Sequence, residues 1–166
     1  MNYILRFSAI FTLLFVLPGI ITQGKTAPPI FDKARFYTAM SKANVDEIDY
    51  VLAQLKESLI PEKTAYEGVL MMKKAGLLTK AKEKLSLFKS GREKLEAAIN
   101  NDDGNVEYHF LRLIIQEKAP KIVKYRSNLK RDTEMVTTLF KKLPPVVQQA
   151  VRDYSKKSAF LKPADL

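Results

Sequence analysis

The stretch VEYHFLRLIIQEKAP, residues 106–120, limits the fold of this chain more than any other. Read as a helix, it places Val106, Phe110 and Leu113 on one face and Leu111, Ile114 and Ile115 on an adjacent one. A helix apolar around most of its circumference has no stable place on a surface, so other helices must enclose it. Its one polar line is Asn105, His109, Arg112 and Gln116, whose i, i+4, i+7, i+11 spacing aligns them. That line reads in two ways. It can line a polar groove with Arg112 as a clamp for an anion, or be structural, either facing solvent or with Arg112 the partner of a buried acid. Glu107 shares a face with Leu111 and Ile115 and is therefore a candidate for burial and pairing. After Pro120 the apolar stripe resumes as Ile122, Tyr125, Leu129, Asp132, Val136, Leu139 and Leu143. Asp132 occupies a position that the stripe assigns to an apolar residue, where an ionised carboxylate needs a partner or water. Arg112 and Asp132 are candidate partners, with Glu107 as the alternative; an antiparallel hairpin about Pro120 need not bring positions 112 and 132 level, so the pairing depends on how the helices pack.

Residues 1–24 have the anatomy of a secretory signal peptide: a short leading region with Arg6, an apolar run through Ile21, and the small residues Thr22 and Gly24 before the cut. Cleavage is expected between Gly24 and Lys25, because the competing site after Ala27 would put Pro28 next to the scissile bond. The alternative is an uncleaved anchor, although Ser8, Thr12 and the Pro18-Gly19 pair interrupt the apolar run. The chain has no cysteine. No disulfide or lipid-bearing cysteine is therefore available, and the core alone must hold the domain together.

Beyond the signal the chain is long enough for one domain with a real core. Few glycines and prolines and no sustained alternation of apolar and polar residues predict an all-α fold over 31–166, preceded by an extended leader at 25–30 containing Pro28 and Pro29. Asp32 caps a first helix burying Ala34, Tyr37 and Met40. Asn44 and Glu47 open a second, striped by Val45, Ile48, Leu52, Leu55 and Leu59. Pro61 starts a third, in which Ala65 and Gly68 are small enough to admit a neighbouring backbone and Gly76 ends the helix. A fourth, from about Lys80 to Asn100, uses Ala81, Leu85, Phe88, Leu95 and Ile99, with Gly91 as an interior weak point. The turn NDDGN follows, with Asp103 or Asn105 as the next cap. Pro144-Pro145 precedes a short last helix and an end expected to fray.

The segment GREKLEAAINNDDGNVEYHF, and more broadly residues 91–120, resembles the junction between tetratricopeptide repeats. Ala97 and Ala98 stand at the small packing positions and Asp102-Asp103 at the turn. The resemblance implies stacked antiparallel helical hairpins. The motifs AYEG, KLSLFKSGREKLEAAI and NVEYHFLRLIIQEKAP, with Tyr125 and Asp132 after them, are similar to those of uncharacterised exported helical proteins of Bacteroidota. That likeness implies an exported all-helical protein and no particular activity.

One histidine and no cysteine leave no conventional metal set, and Asp102-Asp103 lacks the alternation of a calcium loop. No phosphate-binding loop, nucleophile elbow or zinc-protease motif occurs. No catalytic residue, cofactor or metal is expected. The charge is uneven: residues 25–117 hold 15 Lys+Arg against 14 Asp+Glu, whereas 118–166 hold 12 against 4. The candidate basic surface is Lys118, Lys121, Lys124, Lys130, Arg131, Lys141, Lys142, Lys156 and Lys157. It suits an anionic envelope surface, polymer or acidic protein. Nucleic acid is not expected, since the basic residues lack interleaved aromatics. The reading is an exported, periplasmic or secreted, noncatalytic helical domain that binds an unidentified protein. The alternative is a module for an anionic ligand, held by Arg112 and the basic C-terminal region.

Overall fold

A computed structural model describes residues 30–166; the expected signal peptide and most of the leader lie outside them. Seven α-helices and no strand occur among the described residues: α1 Lys33–Ser41, α2 Val45–Glu57, α3 Lys63–Ala75, α4 Ala81–Asn101, α5 Val106–Lys118, α6 Leu129–Leu139 and α7 Pro145–Ser155. No helix among them is long and apolar enough to cross a membrane.

Local chemistry sets most helix starts. The side chains of Asp32, Asn44 and Asn105 accept hydrogen bonds from the backbone N–H groups of Arg35, Glu47 and Tyr108, satisfying donors that the first turn leaves open. Pro145 takes the first position of α7, where its missing N–H costs no helix bond. The third helix begins at Lys63, two residues after Pro61, without a side-chain cap. Gly76 ends it with right-handed backbone angles.

Helices α3 and α4 form an antiparallel hairpin whose closest approach is glycine on glycine. A Cβ on Gly68 would lie 2.6 Å from the Gly91 carbonyl oxygen, and one on Gly91 would lie 2.5 Å from that of Gly68. Gly91, expected to be a weak point, is therefore where the backbones touch. A second antiparallel hairpin joins α5 and α6, as Gln116 meets Asn128 and Arg112 meets Asp132.

Eleven of the 13 residues of α5 are buried, which makes it the central helix. Its two apolar faces serve two cores. Tyr108, Leu111 and Ile115 join α1–α4 around Phe36, Tyr66 and Leu95. Val106, Phe110 and Leu113 join α6, α7 and the chain end around Val136, Val147 and Leu161. Helix α5 is apolar on both sides because it separates two cores.

Several expected positions are corrected. In α1, Ala34 is exposed and Tyr37 half-buried, while Phe36 and Ala39 join Met40 inside. Leu59 and Ile122 are 85% and 87% exposed. Leu59 follows the end of α2, and Ile122 sits in a 3-10 turn at Lys121–Val123 rather than on a helix. Ala81 and Leu85 are exposed at the start of α4. The end of the chain is packed rather than frayed, with Ser158 and Leu161 buried.

Candidate functional site

Three buried charge clusters are arranged along α5. The first surrounds Glu107, which accepts from the hydroxyls of Tyr37 at 2.7 Å and Tyr66 at 2.5 Å and from the Lys33 ammonium at 3.0 Å. Burial, followed by the Glu107 charge, holds both tyrosine hydroxyls well above their ordinary pKa. Lys33 also reaches Glu62 at 3.0 Å. Glu107 is thus buried and paired, with Lys33 and not with Arg112.

The second cluster holds Arg112 and Asp132, 3% and 0% exposed. The guanidinium grips the carboxylate with two bonds, Nε to Oδ2 at 2.8 Å and Nη2 to Oδ1 at 2.7 Å. Its Nη1 donates to Glu96 at 3.0 Å, and Glu96 also accepts from Tyr125. His109 Nδ1 lies 2.7 Å from Asp132, and its Nε2 lies 2.8 Å from the carbonyl of Asp103. Burial alone would raise the Asp132 pKa; the Arg112 and His109 bonds outweigh it and hold the carboxyl below its ordinary value. Burial likewise works against charge on Arg112, and the Asp132 and Glu96 contacts reverse the balance, raising it. Gln116 completes the line: its amide bonds both the side chain and the backbone N–H of Asn128, anchoring the start of α6.

The third cluster closes the chain end. Glu117 accepts from Tyr154 at 2.8 Å, Ser158 at 2.6 Å and the Ala159 N–H at 2.7 Å. These bonds outweigh burial and hold its carboxyl below the usual value. Among the described residues, no buried side-chain nitrogen or oxygen lacks a hydrogen-bond partner.

The polar line Asn105, His109, Arg112 and Gln116 therefore faces protein. Asn105 is a cap, and the other three tie α5 to α6. Arg112, 3% exposed, directs its Nε, Nη1 and Nη2 to Asp132 and Glu96, so its fork is turned to protein and not to an open groove.

An open concavity lies elsewhere. A groove of about 520 Å³ runs between α1 and α7 with α5 beneath. Phe110 and Ile114 form its floor, Met40 and Tyr37 come from α1, and Val146 and Ala150 come from α7. Lys73 of α3, Lys118 and Lys157 border it, together with Asp153. Lys73 is half-buried, and burial, then the nearby Lys157 charge, lower its pKa. Sequence reasoning missed Lys73, although the signal was present: it follows Tyr66, Val69 and Leu70 on the apolar side of α3, much as Asp132 stands on its own stripe.

The C-terminal basic residues have different surroundings. Lys118 and Lys157 border the groove, Arg131 pairs with Asp103 at 2.6 Å, and Lys156 pairs with Asp153 at 2.7 Å. Lys130 lies 3.9 Å from Glu134. Lys121 and Lys124 are exposed around the first 3-10 turn, where Lys124 has φ 47°, and Lys141 and Lys142 are exposed in another. Among the described residues, no group of three or more His, Asp or Glu side chains is placed to hold a metal ion. No protein-family model, curated protein or solved structure matches the chain.

Proposed function

We propose that the chain is an exported, noncatalytic α-helical binding domain, built on hairpins of the kind that tetratricopeptide repeats use, and that it receives its ligand in the groove between α1 and α7. The observation that carries this reading is a contrast. The titratable groups inside the domain are engaged with one another, whereas Lys73 is half-buried at the border of an open groove, where burial and then the Lys157 charge lower its pKa. The groove volume falls within the range of ligand sites, roughly 300–1,000 Å³. The protein partner suggested by the sequence is one outcome of the test. The lysines favour an anionic occupant, bound through the groove and not through Arg112.

Hydrogen exchange tests the reading directly. Incubated with envelope extract, the protein is expected to show slowed amide exchange in α1 and α7 relative to buffer. Protection absent from both helices, or confined to the outer surface of the α3–α4 hairpin, refutes the groove as the binding surface.

A further inference from the structure

We propose that the groove takes a small amphiphile with one apolar chain and one anionic headgroup, the headgroup between Lys73 and Lys157 and the chain along Ile114, Val146 and Ala150. This rests on the binding-domain reading and gives its ligand a chemical class. Lys118 and Lys157 each have an acid close by, Glu117 and Asp153, whereas Lys73 makes no ion pair among the described residues. Asp153, the acid on the same rim, bonds Lys156 at 2.7 Å and Gln149 at 3.0 Å, and these bonds with the Lys156 and Lys157 charges hold its carboxyl below the usual value. Lys118 stands 3.8 Å from Glu117, whose oxygens are already filled by Tyr154, Ser158 and Ala159. Lys73 is half-buried and lines the same groove as Lys157, so an anion between them relieves both like-charge repulsion and the cost of desolvating an unpaired ammonium. The partly exposed side chains of Ile114, Val146 and Ala150 give the chain apolar surface to cover. A protein occupant would need on the order of 800 Å² of contact per partner, extending well beyond this groove, whereas a single small molecule fits within it. A carboxylate and a phosphate share the chemistry that the lysines recognise.

Calorimetry with the purified protein decides the matter, using dodecanoate, dodecyl phosphate, dodecyltrimethylammonium and inorganic phosphate, each below its micellar range. One or both anionic amphiphiles should bind with unit stoichiometry, at least about tenfold more tightly than the cationic one, and more weakly as salt is raised. Which of the two binds better identifies the headgroup. Lys73→Gln should weaken that binding by about tenfold or more while circular dichroism and the unfolding midpoint show the fold retained; Ala150→Trp, which fills the groove from α7, should weaken it independently. Equal binding of the cationic amphiphile, equal binding of inorganic phosphate, or an undiminished affinity in folded Lys73→Gln overturns the proposal. If no amphiphile binds while envelope extract still protects α1 and α7, the ligand class is wrong and the binding-domain reading stands. Protection that disappears after protease treatment of the extract likewise overturns the amphiphile in favour of a protein. With neither amphiphile binding nor protection, both readings fall.

Discussion

Asp132 and Arg112 show how much a single misplaced polar residue can report. A carboxylate on an apolar stripe is tolerable only if polar partners reach it, and the structure supplies Arg112 and His109, one turn apart on α5. Breaking the pair strands a buried charge, so Arg112→Met is expected to cost about 3–5 kcal/mol in denaturant unfolding. Combining it with Asp132→Leu should recover a substantial part, and a coupling near zero in the double-mutant cycle would contradict the pairing. Acid makes a second prediction. The folded-state pKa values of Asp132 and Glu117 are both depressed, so their contribution is fully present above the ordinary carboxylate range and lost as pH falls through the folded values. The urea midpoint should therefore change little as pH falls from about 7 to 5 and then drop below about 4, with a smaller drop in the double variant. A midpoint that rises on acidification would show that the sign is wrong.

At the scale of elements, the contact between α3 and α4 is the most demanding piece of packing. Alanine is worth roughly 0.8–1 kcal/mol more than glycine inside an isolated helix, so local propensity favours Gly91→Ala. Here the new methyl group would meet the Gly68 carbonyl at 2.5 Å and Met72 at 2.9 Å. Overpacking of this kind typically costs about 1–3 kcal/mol, and a backbone atom cannot swing aside as a side chain can. We expect Gly91→Ala to lower the urea midpoint; a raised midpoint would mean that the helices separate easily. The sequence singled out Gly68 for close approach and read Gly91 only as a weakness, because periodicity describes one helix and not its neighbour. Helix starts were more legible. Asp32, Asn44 and Asn105 cap from within the same turn, so their effect is written locally. The start of α6 was less so: extrapolating its stripe backwards ran through Pro120, which leaves Ala119 extended, and Ile122 ended in solvent.

For the whole molecule, the expectation that residues 1–24 direct export and are removed is tested by fusing residues 1–30 to a reporter active only outside the cytoplasm and by sequencing the mature N-terminus. Activity with a terminus at Lys25 is expected, and a membrane-held product retaining Met1 would make the segment an anchor instead. What the sequence determined by itself is local and periodic. The helical content follows from the spacing of apolar residues, several helix starts from their caps, and the central place of α5 from having almost no face fit for water. Its two apolar faces were visible as Val106, Phe110 and Leu113 beside Leu111, Ile114 and Ile115, and they became the linings of two cores. Only the tertiary structure decided which acids meet which bases, and where a cavity is left. Lys33 and Glu107 are 74 positions apart. Nothing in either segment selects the other among the many lysines and carboxylates available, because that choice is made by helix packing. The groove follows the same logic, since Lys73, Phe110 and Ala150 belong to three separate helices and face one space only once α1 and α7 close over α5.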